Sequence, residues 1–123
     1  MSKFKLGTRS RQNLSGVHPD LVAVVERAIE ITEVDFTVIE GLRSRERQKK
    51  LVAEGKSKTM NSRHLTGHAV DIVPWPVSWE REDFIPIVEA MKQAAKELDI
   101  PVVHGHDWGW DSPHHELDRK VYK

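Results

Sequence analysis

The chain reads as an α+β fold, with helices packed on a small, mainly antiparallel sheet. Two stretches carry apolar residues at helical spacing: Leu21, Val24, Val25, Ala28 and Ile29, and then Phe84, Ile87, Val88, Met91, Ala95 and Leu98. Between and after them stand short β-prone runs, 36–39, 69–73, 102–103 and 114–117, bounded by glycine or proline. Neither repeats nor low-complexity segments interrupt this alternation, and helices of such sequences bury their stripes against a sheet face.

Pro19 suits the first turn of the first helix, because its fixed φ matches the helix and its missing N–H would be unpaired there anyway. Phe36 to Ile39 follows as a strand that ends at Gly41. Ser44 is placed to cap a polar helix from Arg45 to about Glu54, closed by Gly55. Arg43 therefore falls at a strand-to-helix junction. Lys56 to Arg63 reads as a mobile polar loop, and Ala69 to Val73 as a short apolar strand. Pro74 and Pro76 break that strand, and Pro86 falls in the first turn of the long helix. Val102 and Val103 begin another strand, and His114 to Leu117 forms the last.

The composition excludes several classes. With 123 residues the chain is expected to be a single domain over 1–123, with one modest core. Nineteen basic and nineteen acidic side chains cancel, so no net charge points to nucleic acid or an anionic membrane. The absence of Cys removes disulfides, thiolate metal sites and a Cys nucleophile together. No apolar run has signal-peptide or membrane-spanning length, so no membrane anchor is expected and the chain is expected in the cytoplasm.

Two short segments carry the chemistry: S-R-H-L-T-G-H-A-V-D-I, with His64 and Asp71, and W-D-S-P-H-H-E-L, with His114. Two imidazoles and a carboxylate are ligands that Zn²⁺ accepts, and three protein ligands leave a fourth position open, as catalytic zinc requires. His64 and Asp71 are seven apart, which on one straight strand would put them on opposite faces. Gly67 can turn the chain between them. In the last strand His114, His115, Glu116 and Leu117 alternate, so only one of the two histidines can face a metal, and Glu116 shares the face of His114.

The segment S-R-H-L-T-G-H-A-V-D resembles the S-x-H-x-x-G-x-A-x-D signature of zinc peptidases that include D-alanyl-D-alanine dipeptidases and carboxypeptidases. Asp111, Ser112, Pro113, His114, His115 and Glu116 resemble the D-x-P-H-F-E-like run of the phage L-alanyl-D-glutamate endopeptidases, the endolysin branch; the dipeptidase branch usually has Glu at the position of Asp111. The similarity extends to V-H-P-D-L at 17–21, E-G-L-R-S-R-E-R-Q at 40–48 and the G-x-S-x-T loop from Gly55 to Thr59. Two places depart from the pattern. His115 stands where the family tends to have an aromatic residue, and His104, Gly105, His106, Asp107 and Trp108 replace a W-G-G-D-W-like run. These changes add imidazoles, so the choice of His114 over His115, His106 or His104 rests on the motif alignment.

The resemblance implies a hedgehog/D-Ala-D-Ala-peptidase-like fold and a Zn²⁺ held by His64, Asp71 and His114. It implies Asp111 as the base that takes a proton from the attacking water and passes it to the leaving amine. It also implies Arg43 as the cation facing the substrate or its developing oxyanion. Glu116 is the reserve base or the support of a ligand. Ser62 and Gln48 fall in matching motifs, as substrate contacts or loop structure. Arg45, Arg47 and Arg63 are expected to be solvated, and Trp108 and Trp110 to wall the cleft or join the core. The implied function is a zinc endopeptidase, expected as a monomer, that cuts the L-alanyl-D-glutamate bond of peptidoglycan stem peptides. From the host cytoplasm it would reach the wall only after another agent opened the membrane. The alternatives are a D-alanyl-D-alanine carboxypeptidase or dipeptidase, and a non-catalytic zinc or wall-binding domain.

Overall fold

The computed structural model describes residues 3–123. Its elements are α1 (Thr8–Leu14), α2 (Pro19–Ile31), β1 (Phe36–Glu40), α3 (Arg45–Ala53), β2 (Ala69–Pro74), α4 (Ile85–Leu98), β3 (Val102–His104) and β4 (His114–Leu117). Single 3-10 turns lie at Arg63–Thr66, Arg81–Phe84 and Gly105–Trp108. The four strands form one sheet in the order β1-β2-β4-β3, with every pairing antiparallel.

Strand alternation sorts the sheet into two faces. Val38, Val70, Ile72 and Leu117 join the main core with Leu21, Val24 and Val25 of α2 and Ile87, Met91 and Ala94 of α4. The residues between them, Asp71 and His114, turn to the opposite face, where they are direct neighbours in register. The polar site thus sits on the back of a packed core. A bulge at Ile39 sharpens the arrangement, since pairing shifts between Val38 and Glu40 and brings Glu40 opposite Asp71.

Helix α1, which no apolar pattern announces, covers β1. Ser10 Oγ accepts from the Val38 N–H at 3.0 Å, and Asn13 Nδ2 donates to the Val38 carbonyl at 2.8 Å. These contacts satisfy backbone groups that an edge strand would otherwise leave open. Pro19 occupies the first turn of α2, and the N-cap is an imidazole: His18 Nδ1 accepts from the Asp20 N–H at 3.1 Å. Ser44 caps α3 by accepting from the Arg47 N–H at 3.0 Å.

Two expectations for the long helix need correction. Phe84 lies in the 3-10 turn before α4, although it is buried, and Pro86 does fall in the first turn. Leu98 is 40 % exposed instead of buried. It is the last residue of α4, after which Asp99 turns the chain in the left-handed region (φ 57) and Ile100 packs against the core. The 56–63 loop is also anchored. The amide of fully buried Gln48 donates to Ser57 Oγ at 2.8 Å and to the Thr59 carbonyl.

Candidate metal centre

Ser62 begins the site. Its hydroxyl accepts from the His64 N–H at 3.2 Å, capping the turn Arg63–Thr66 that holds His64. Gly67 ends the turn at φ 74, the left-handed conformation expected of it, and the chain enters β2 with Asp71 facing back. A side chain at Gly67 would also press on the Gly16 carbonyl, 2.6 Å from an added Cβ. The odd spacing of His64 and Asp71 is thus resolved by one turn. His64, Asp71 and His114 each offer one ligand atom, all within 4.8 Å of one another.

The outer hydrogen bonds fix which ring nitrogens face inward. His64 Nδ1 lies 2.9 Å from the Gly41 carbonyl, which can only accept, so Nδ1 carries a proton and Nε2 is the nitrogen turned to Asp71 Oδ1 at 3.2 Å. His114 Nε2 donates to Glu116 Oε1 at 2.8 Å, and its Nδ1 faces Asp71 Oδ1 at 3.3 Å. Each imidazole therefore presents one nitrogen to the common centre while a second group orients the ring, an arrangement suited to metal ligands. Two imidazoles and a carboxylate with convergent donors fit Zn²⁺.

The electrostatics agree with that geometry. Burial opposes the charge of Asp71, but hydrogen bonds to His114 and His64 hold its carboxyl well below the usual carboxylate range. Burial also opposes the cationic form of His114, and the Asp71 and Glu116 carboxylates outweigh it, raising the pKa to about 9. Such proton retention measures how strongly the pocket attracts a cation. For Glu116 too, burial favours the neutral acid, yet His114 and Arg119 keep its pKa lowered.

Asp111 stands beside the cluster. Half-burial raises its pKa, and His114, Asp71, His64 and Arg43 act on it as charges through space. A carboxylate with a raised pKa, close to the ligands but outside the metal set, can accept and return a proton. Gly105 makes its position possible, because an added Cβ there would lie 2.2 Å from the Asp111 carbonyl oxygen and 3.0 Å from His114 Cβ. Nothing in the local pattern distinguishes this glycine from a turn residue.

Arg43 is held from three sides. Its Nε donates to Glu40 Oε1 at 2.8 Å, its Nη1 to Gln48 Oε1 at 2.8 Å and more weakly to Ser62 Oγ at 3.5 Å. Nη2 lies 3.9 Å from Asp71 Oδ2, which aims the guanidinium at the cluster. Gln48 and Ser62 thus both touch the Arg43 guanidinium. Glu40 lies outside the ligand motifs, although its i, i+3 spacing to Arg43 in E-G-L-R signals the pair.

The remaining basic and imidazole residues are also placed. Arg45 and Arg47 are exposed, whereas Arg63 is buried. The Arg63 guanidinium reaches the Tyr122 carbonyl at 2.6 Å and the Leu117 carbonyl at 3.4 Å, so its expected solvation is overturned by acceptors that the distant C-terminal segment brings. His115, His104 and His106 stay outside the cluster: His104 and His115 contact each other at 2.8 Å, and His106 Nδ1 meets Ser112 Oγ at 3.0 Å. Trp108 and Trp110 are exposed, and Trp108 lies over His114 with ring centroids 5.5 Å apart, so neither joins the core.

A small antiparallel sheet that presents two imidazoles and a carboxylate able to hold a metal ion, with an acid and a guanidinium beside them, has the groups a hydrolytic centre needs. The sequence model of the phage L-alanyl-D-glutamate peptidases matches residues 1–123, and the chain belongs to that family. It is 35 % identical over 127 residues to the L-alanyl-D-glutamate peptidase of Escherichia phage T5, covering 97 % of this chain and 93 % of that protein. It is 29 % identical over 125 residues to the L-alanyl-D-glutamate peptidase of Listeria phage A118, covering 94 % of this chain and 43 % of that longer protein. The crystal structure of the Serratia marcescens L-Ala D-Glu endopeptidase ChiX matches with a TM-score of 0.91 and 46 % identity, over 98 % of this chain and 94 % of that one.

Proposed function

We propose that this chain is a zinc endopeptidase that hydrolyses the L-alanyl-D-glutamate bond of peptidoglycan stem peptides. The observation that carries the reading is the convergence of His64, Asp71 and His114 beside Asp111 and Arg43, in a chain 46 % identical to an L-Ala D-Glu endopeptidase of the same fold.

His64 Nε2, Asp71 and His114 Nδ1 are the donors that would hold Zn²⁺. When bound, the ion lowers the pKa of water toward about 7 and polarises the scissile carbonyl. Asp111 accepts the proton of the attacking water and returns it to the leaving amine; burial, which raises its pKa, makes it a better base and then a usable acid. Arg43, locked by Glu40 and Gln48, sets a positive charge where the carbonyl oxygen gains negative charge, without having to reorganise at that moment. Glu116 keeps the His114 ring in the orientation that exposes Nδ1.

All these groups come from one chain, which supports action as a monomer. Among the described residues no helix is long and apolar enough to cross a membrane. Acting from the host cytoplasm, the chain would reach the wall once another agent had opened the membrane.

Digestion of purified peptidoglycan with analysis of the products tests the reading. Cleavage should leave L-alanine with a free carboxyl group on the glycan side and expose a new amino group on D-glutamate. Release of D-alanine or its dipeptide with that bond intact would assign the chain to the carboxypeptidase or dipeptidase branch. Full zinc occupancy without hydrolysis of any wall would favour a binding domain.

A further inference from the structure

All four tryptophans of the chain are exposed, an unusual placement for the largest apolar side chain in a small fold. Trp79 is 66 % and Trp110 76 % exposed, and both bound one groove of about 260 Å³ with Phe84, Arg81, Gly109, Ser112 and Pro113. Ring contacts and the chain itself link the groove to the metal centre. Trp108 lies 5.5 Å from the His114 ring and 5.4 Å from Trp110, centroid to centroid, so aromatic rings step outward from a ligand to the groove. Ser112 and Pro113, which line its floor, separate Asp111 from His114 in the chain.

A second groove, of about 460 Å³, opens on the β1 side of Asp71 and is bounded by Arg43, Arg47 and Glu40, two guanidiniums against one carboxylate. The two grooves differ as the two ends of the substrate differ. The D-glutamate side of the scissile bond carries a free carboxylate, which suits the arginine groove. The other side carries a single L-alanine and then the lactyl ether of N-acetylmuramic acid. With a reach of roughly 3.5 Å per residue, that sugar must lie close to the cut bond. The face of a pyranose presents C–H groups with partial positive charge, which complements the electron-rich face of an indole.

We propose that the Trp79–Trp110 groove is a glycan subsite: it holds the amino sugar that bears the stem peptide and so sets the direction in which the peptide crosses the metal centre. This inference rests on the peptidase reading for its choice of ligand. Arg81, whose Nη2 donates to the His106 carbonyl at 3.0 Å, is fixed at the rim, where its remaining N–H groups can meet sugar hydroxyl or acetamide oxygens.

Two measurements test it. The disaccharide of N-acetylglucosamine and N-acetylmuramic acid, carrying no peptide, should quench or shift tryptophan fluorescence of the zinc-loaded protein at millimolar concentration. Trp110→Ala should abolish the response, whereas Trp75→Ala, outside the groove, should retain it. In turnover, the disaccharide-linked stem peptide should exceed the sugar-free peptide in kcat/KM by about 5- to 10-fold, the scale of one or two aromatic contacts. Trp79→Ala and Trp110→Ala should each reduce that ratio. Equal kcat/KM for the two substrates in the wild type, or no response to the disaccharide, would overturn the subsite. Disaccharide binding needs no bond cleavage. A protein that binds it through Trp110 yet cuts neither substrate would therefore defeat the peptidase reading and leave the subsite standing, and one that cuts both but ignores the disaccharide would do the reverse.

Discussion

On β4 two consecutive imidazoles meet opposite surroundings. His114 turns to the face that carries Asp71 and Glu116, and the two carboxylates raise its pKa to about 9 against the effect of burial. His115 turns to the core face, where full burial pushes its pKa well below the ordinary imidazole value. There its Nδ1 meets His104 Nδ1 at 2.8 Å, and its Nε2 has no partner among the described residues. An unpaired buried N–H is costlier than an unpaired lone pair, so the lower-energy arrangement has His115 neutral and donating from Nδ1 to His104. Residue type is the same in both cases; the neighbouring carboxylates decide which imidazole attracts a cation.

The strongest way to break this comparison is to remove each ring in turn. His114→Ala, like His64→Ala and Asp71→Ala, should abolish stoichiometric zinc binding and detectable wall cleavage, as metal analysis and a turbidity assay would show. His115→Ala should keep its zinc and instead lose stability, by about 1–3 kcal/mol in urea unfolding for the His104 group left unpaired. Zinc lost from His115→Ala but kept by His114→Ala would exchange the two roles.

Next in size is the separation of base from ligand. Asp111→Asn should retain zinc while turnover falls by about 10²- to 10⁴-fold, the range for loss of a general acid and base. Glu116→Gln keeps an acceptor near His114 but removes its charge. Zinc affinity should weaken by about 10- to 100-fold, with a smaller loss of zinc-saturated turnover than in Asp111→Asn. If Glu116→Gln proved the more damaging to turnover at full zinc occupancy, Glu116 would be the base.

The effect that is smallest over any single pH step lies in the pH dependence of stability and concerns the core-face pair. Burial first, and then Lys92 and His106, lower the pKa of His104 to about 4, with Asp107 opposing, while His115 faces it across the strand pair. Its unfolded value is about 6.5, so between these limits the unfolded chain binds more protons than the native one. The His104 contribution is therefore fully present above pH 6.5 and is lost as pH falls toward 4, by up to about 1.4 kcal/mol per pH unit. Melting curves over that window should show a steeper acid limb for the wild type than for the double variant His104→Leu, His115→Leu. Parallel limbs would remove the buried pair from the account of acid stability.

The positions of α2, α3 and most of α4, the strand pattern and the donor set were legible in the sequence because each depends on local order. Alternation placed Glu116 on the face of His114, and the glycine at 67 located the turn that lets His64 and Asp71 meet. Contacts between distant segments left no such trace. Arg63 looked like any solvated arginine until the C-terminal carbonyls closed over it, and α1, polar in pattern, is joined to β1 by two hydrogen bonds to Val38.

The sequence by itself determined the chemistry available: two imidazoles and a carboxylate in motifs that single out the residues able to hold a metal ion, with an aspartate and an arginine nearby. The tertiary structure alone decided how that chemistry is held. The bulge at Ile39 brings Glu40 opposite Asp71, Gln48 ties the arginine to the 56–63 loop, and Gly105 leaves room for both the Asp111 carbonyl and the His114 side chain. Each of these depends on a distance across the fold, and a side-chain pattern encodes direction along the chain but not the separation of segments that only packing brings together.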